Sequence, residues 1–162
     1  RLVKVANDDC FELLVLVHPR LGKSIFEYVE KLTEPSDRIF ELISNHKGDL
    51  RLARLTELSD QAAKVLSKHK GDLSLSSYGL TELSDESAKA LTKVKGGLSL
   101  DGLTELSDEA AKALSKHKGD LSLNRDFNLS DKASAALAKK KGTINREVPK
   151  DFVDGLGGRM KN

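Results

Sequence analysis

The hexapeptide LTELSD occurs three times, at Leu55–Asp60, Leu80–Asp85 and Leu103–Asp108, and each copy is followed by a similar phrase ending in Lys and Gly. Self-similarity at this spacing predicts stacked like units, because each unit has an apolar face that only a neighbour can cover. Cut at the glycines, the units are Gly48–Lys70, Gly71–Lys95, Gly96–Lys118 and Gly119–Lys141, of 23, 25, 23 and 23 residues. A worn copy starts at Leu32 and continues through Lys47, and a truncated one is Gly142–Asn145, so the array is expected to run from Ile25 to Asn145.

Each unit carries two hydrophobic periods. Alternation comes first, in Leu50-Arg51-Leu52, Leu73-Ser74-Leu75, Leu98-Ser99-Leu100 and Leu121-Ser122-Leu123. On a strand this sends both leucines inward and the middle residue outward. The period then becomes helical: Ala110, Ala113, Leu114 and His117 stand on one face of a short helix of about three turns. Ser59, Ser84, Ser107 and Ser130 each precede an acidic residue, the signature of an N-cap beside the positive dipole end. Runs such as Lys68-His69-Lys70 followed by Gly71 mark the opposite end.

Strand, turn, helix and glycine, with the L-x-L strand, the later L-T-x-L and a 23-residue unit, resemble the leucine-rich-repeat family in a short bacterial-type version. The resemblance spans at least four units. It implies an α/β fold, a right-handed leucine-rich-repeat solenoid with a parallel sheet on the inner face and short helices on the outer face. Strands pack about 4.8 Å apart and helices about 8–10 Å apart, which bends such a stack, sheet inside. Alanines at Ala62, Ala63, Ala88, Ala110 and Ala111 let helices come close, so a shallow arc is expected. One departure stands out: where that family stacks an asparagine after the strand, this chain has Gly102 or Arg54. The column Thr56, Thr81, Thr104 is the candidate to supply part of the missing turn bonding.

Beyond the array, residues 1–24 form an expected N-terminal helical cap, with the apolar Asp9–Val17 stopped by Pro19 and Gly22. Residues 146–162 form an expected C-terminal cap and mobile tail, with one amphipathic turn at Pro149–Leu156 laying Phe152 and Val153 over the last unit. The net charge of +2, with acids and bases interspersed, argues against a dedicated polyanion binder, so nucleic acid is not an expected partner. No apolar run reaches the length of a membrane span. Asn7, Asp8, Asp9 and Glu12 interrupt Val3–Val17 and argue against a signal peptide there. The start at Arg1 instead of Met reads as a processed or truncated piece. The single Cys10 rules out an intramolecular disulfide and leans toward a reducing, cytoplasmic compartment.

Candidate chemistry is sparse. His46, His69 and His117 share one place in their units, but Val94 and Lys140 fill that place elsewhere and no Cys or carboxylate repeats beside it. A metal would want three or four converging ligands, so these histidines read as structural, each bonded to a neighbouring turn. His18 lies before Pro19 with no evident partner. The Ser–Asp pairs read as caps, since a nucleophile needs a base and an oxyanion site. Gly22-Lys23-Ser24 lacks the upstream glycine of a phosphate loop, His18 standing there. Gly155-Leu-Gly-Gly158 reads as a flexible end, and Lys139-Lys140-Lys141 as a solvated helix end. No catalytic residue, metal or cofactor is expected.

The functional signal is where outward positions break the repeat, since packing does not dictate them. Arg51, Arg54, Tyr78, Asp101, Asn124 and Arg125 are such positions, on the sheet face or at the strand ends, and Arg and Tyr are enriched at binding hot spots. The expected function is a noncatalytic module holding a protein or peptide partner on the sheet face and its edge. The alternative is a structural or regulatory segment of a larger protein or complex that docks through its end caps.

Overall fold

The computed structural model describes residue 35 and residues 37–45, 48–75, 79–125 and 129–159. The expected N-terminal cap, Cys10, His18, His46 and Tyr78 lie outside the described residues. In chain order the elements are α1 (Asp37–Ser44), β1 (Leu50–Arg51), α2 (Asp60–Leu66), β2 (Leu73–Ser74), α3 (Asp85–Leu91), β3 (Leu98–Leu100), α4 (Asp108–Leu114), β4 (Leu121–Leu123), α5 (Asp131–Leu137) and α6 (Pro149–Arg159). The strands form one four-stranded parallel sheet in the order β1-β2-β3-β4. A helix separates each strand from the next, and consecutive helices pack on one another from α1 through α6. The result is a repeat-like α/β arrangement.

Register follows the repeat. Leu50 pairs with Leu73, Leu73 with Leu98 and Leu98 with Leu121, so equivalent leucines form an inward column. Leu52, Leu75, Leu100 and Leu123 form a second, and Leu55, Leu80 and Leu103 a third, all buried. From the helices, Ala62, Ala63, Leu66, Ala88, Leu91, Ala110, Ala111 and Leu114 close the core from the other side at zero exposure. Burying each leucine contributes roughly 1.5–3 kcal/mol. Helices α2–α5 are 7 residues long, two turns instead of the expected three. At that length packing and capping hold them, not propensity.

The capping serines do two jobs. Each Oγ accepts from the backbone N–H three residues on, as Ser59 does from Ala62 at 3.0 Å and Ser107 from Ala110 at 2.9 Å. Each hydroxyl also donates to the helix-leading aspartate of the preceding unit: Ser59 to Asp37, Ser84 to Asp60, Ser107 to Asp85 and Ser130 to Asp108. The S-D dipeptide thus links units as well as starting helices. Asp60 accepts from both Ser84 and Ser87, and these bonds hold its carboxyl below the usual aspartate range. Depression of that kind gives stability present above about pH 4 and lost as pH falls further. Ser107→Ala removes a cap and an inter-unit bond together, and is expected to cost about 1–2 kcal/mol. Urea unfolding monitored by circular dichroism checks this, with Ser107→Thr as the variant that retains most of the stability.

The threonine column takes up turn bonding as expected at one step: Thr104 donates its N–H to the Thr81 carbonyl at 3.0 Å and its Oγ1 at 3.3 Å. At the far edge of β4, Asn145 acts as a substitute strand. Its amide Nδ2 donates to the Leu123 carbonyl and its Oδ1 accepts the Leu123 N–H, both at 2.9 Å. Asn145 adopts φ 51° to do so, a left-handed conformation that asparagine tolerates well. Helix α6 then covers the end with Phe152 and Leu156 buried and Val153 partly so. It is longer than the single expected turn: its 11 residues run through Gly155–Gly158.

Candidate functional site

Because the leucines of each strand face the core, the residues between them share the opposite face. Register sets Arg51 beside Ser74, Ser74 beside Ser99 and Ser99 beside Ser122. Arg51 is exposed and the three serines are half-buried. This row floors an open trough of about 310 Å³, flanked by Asp72 and Asp120 and closed at the far end by Arg146. A second hollow shares Ser99, Asp120, Ser122 and Arg146 with the first and adds Asp101, Asn124 and Arg125, so the two form one continuous surface.

The aspartates beside the trough are spent on structure. Asp49 Oδ1 accepts the Asp72 N–H at 3.2 Å, Asp72 Oδ1 the Gly97 N–H at 2.6 Å, and Asp120 Oδ1 the Thr143 hydroxyl and the Arg146 N–H. A carboxylate ladder on the G-D-L segment therefore ties the units together at the strand starts. Asp101 is also fixed: Ser99 Oγ donates to its Oδ2 at 2.7 Å and Ser122 Oγ to its Oδ1 at 2.6 Å. The Ser122 bond joins neighbouring strands, and the two together preorient the carboxylate.

Arg51, Asp101, Asn124 and Arg125 thus come together on one surface. Arg54 does not line it; it is exposed in the turn after β1. Arg125 is held from both sides, by a 2.5 Å ion pair to Glu147 and by the Phe152 ring 5.7 Å from its guanidinium carbon. It fastens the C-terminal cap to the last unit while keeping 40% of its side chain exposed. Asp72, Asp120 and Arg146 were not among the expected site residues. The recurring Gly-Asp-Leu at Gly48, Gly71 and Gly119 was the available signal for the aspartates, while Arg146 reaches the trough only through the Asn145–Arg146 turn at positive φ.

The histidine column behaves as the structural expectation states. His69 and His117 are at zero exposure, and Nδ1 of each faces a carbonyl of the preceding unit at 3.4 Å, Ser44 and Thr92 respectively. Nε2 of each has no hydrogen-bond partner among the described residues. Burial lowers the His117 pKa; the Thr92 carbonyl opposes this and the Lys140 charge adds to it. Lys140 fills the same place one unit on and corrects the expectation of a solvated lysine run. It is 6% exposed, and its Nζ donates to the Gly119 and Lys141 carbonyls at 2.7 and 3.0 Å. Burial pushes its pKa down and Asp120 resists.

The sign of the acid response follows. An unfolded chain protonates His117 near pH 6.5 and the folded chain only at lower pH. Between these values the unfolded state holds more protons, so stability falls as pH drops through that window. His117→Val, copying Val94, is expected to flatten the dependence of Tm on pH between about 7 and 5. Thermal melts of both chains across that range check it.

Chemically the sheet face offers hydroxyls, fixed carboxylates and guanidinium groups, a surface for hydrogen bonding and charge. Among the described residues no group of three or more His, Cys, Asp or Glu side chains is close enough to hold a metal ion, and no helix is long and apolar enough to cross a membrane. No protein-family model, curated protein or solved structure matches the chain.

Proposed function

We propose that this chain is a noncatalytic recognition module: a right-handed solenoid of leucine-rich-repeat type that holds a protein or peptide partner on its sheet face. The supporting observation is the continuous polar surface on which Arg51, Asp101, Asn124 and Arg125 meet. None of the four belongs to the leucine core beneath them, although Asp101 and Arg125 also tie neighbouring units together. A small hydroxyl floor with charged ends suits an extended, polar segment laid across the strands, its charges meeting Arg51 and Arg146 at the two ends. Arg54, exposed in the turn after β1, extends the contact along the strand-end edge.

A pull-down from the source lysate tests it. Arg51→Ala/Asp101→Ala/Asn124→Ala should lose at least about tenfold of the captured partner, as expected when hot-spot contacts are truncated. Capture equal to that of the wild type would reject the sheet face. Docking through the end caps has one observation in its favour: Val148, beside α6, is 59% exposed, a large apolar side chain left in solvent. Val148→Ser then abolishes capture while the sheet-face variant retains it.

A further inference from the structure

The two long edges of the sheet-and-helix stack carry opposite charge. At the helix-to-strand edge run the Lys-x-Lys pairs that begin at Lys68, Lys93, Lys116 and Lys139, every member exposed, with the buried His, Val or Lys between them. Among the described residues none of these eight lysines has a carboxylate within ion-pair distance. At the strand-to-helix edge Glu57, Glu82 and Glu105 recur in three of the four units, Asn128 taking that place in the fourth; the three glutamates are exposed and likewise without an ion pair among the described residues. Helix dipoles explain neither row. Each glutamate precedes its capping serine by two residues, and the outer lysine of each pair lies three beyond its C-cap, where the dipole has faded.

Between Glu82 and Glu105 the acidic edge opens into a notch floored by Leu83, partly buried, and Leu106, 9% exposed. Carboxylates at the rim over an apolar floor match one side chain type in shape and charge: lysine lays its methylene stem on apolar surface and keeps its ammonium at the polar boundary. We propose that this notch receives a lysine from the Lys-x-Lys edge of a second copy of the chain, so that copies associate side by side, basic edge on acidic edge. Both halves of the contact belong to this sequence. The lysine pairs recur in all four units and the glutamates in three, so a copy displaced along the strand direction can set the two rows against each other over three units. The fixed carboxylates of Asp72 and Asp120 beside the lysines disfavour a dense polyanion there and leave a sparse row of acids as the better match.

The two edges are different surfaces, so the contact is head-to-tail and produces an open series instead of a closed dimer. Exposed ion pairs are individually weak, so several units must act together, and salt screens them. The association is therefore reversible, dependent on concentration and lost at high ionic strength. This goes beyond the sheet-face reading and uses none of its residues as contacts.

Sedimentation velocity of the whole chain at low and high ionic strength tests it. At low salt the weight-average mass should rise with concentration to at least about twice that of the monomer, and return to monomer at high salt. Lys93→Glu/Lys116→Glu alone and Glu82→Lys/Glu105→Lys alone should each stay monomeric, because each sets like charges against one another around the notch. Mixing the two variants should restore association, since every acidic edge again meets a basic one. If circular dichroism shows a swapped chain unfolded, Glu82→Gln/Glu105→Gln takes its place and must abolish association of the chain. Wild type that remains monomeric at low salt, or oligomers that persist in both swapped variants, overturns the proposal. A monomer that instead binds a heparin oligosaccharide, with loss of binding in Lys93→Glu/Lys116→Glu, assigns the lysine edge to a polyanion and likewise overturns it.

Discussion

Gly96→Ala is expected to lower stability by about 3 kcal/mol, the upper end for forcing atoms into a closed site. A Cβ at that position would sit 2.4 Å from the Gly71 carbonyl oxygen and 2.6 Å from Asp72 Oδ1. Both obstacles are structural: one is backbone, and the other is the carboxylate that accepts the Gly97 N–H. The same approach recurs at Gly71 against Gly48 and at Gly119 against Gly96, so the repeating glycine is where one unit's backbone rests on the next. Neither atom can turn aside without parting the units. For a chain of this length the loss corresponds to a fall in Tm of roughly 6–12 °C. Gly155→Ala is the control: a Cβ there meets nothing within 4 Å, and in α6 the change should stabilise by up to about 1 kcal/mol. Differential scanning calorimetry of the two variants beside wild type decides between close packing and a general intolerance of glycine replacement.

Leu98→Ala should cost about 2–5 kcal/mol, the range for a buried leucine whose site cannot collapse. Leu98 is 1% exposed and stands between Leu73 and Leu121 in the inward column, so its cavity faces two neighbouring units at once. Leu83, only partly buried at the strand-to-helix edge, should lose under about 1 kcal/mol on the same replacement. Guanidinium unfolding should show a lower midpoint for Leu98→Ala with an unchanged slope, because the surface exposed on unfolding is nearly the same. A smaller loss for Leu98 than for Leu83 would mean the leucine columns are not the shared core.

Much of this architecture could be read from local pattern. Alternation in Leu98-Ser99-Leu100 places the leucines inside and Ser99 outside, and that is where they lie. Ser107 before Asp108 signals an N-cap, and its Oγ takes the Ala110 N–H. His69 and His117 continue the apolar spacing past the helix end, and Nδ1 of each faces a carbonyl of the preceding unit. What escaped the sequence is contact between units. The second job of Ser107, donating to Asp85, joins residues 22 apart, and nothing in an S-D dipeptide announces it. Lys140, inside a run of three lysines, carries no local sign of burial; the Gly119 and Lys141 carbonyls accept from its ammonium there. Helix length was overestimated because the apolar spacing continues through His117, while the helix stops at Leu114 and the last residues turn back toward the sheet. For the candidate site, outward position on the strands identified Arg51, Asp101, Asn124 and Arg125. The turn that brings Arg146 beside them depends on positive φ at two consecutive non-glycine residues, which periodicity does not report.

Consecutive units contribute neighbouring strands to one parallel sheet, with Ser74 opposite Ser99. Disulfide trapping measures this directly in a Cys10→Ser background. Adjacent parallel strands lie about 4.8 Å apart, within the Cα separation a disulfide accepts, whereas strands two apart lie about 9.6 Å apart and outside it. Ser74→Cys/Ser99→Cys should therefore oxidise to a single intramolecular bridge with the circular dichroism unchanged, and Ser74→Cys/Ser122→Cys should stay reduced under the same conditions. A bridge that forms readily in the second pair and not in the first would contradict the shared sheet and every contact derived from it.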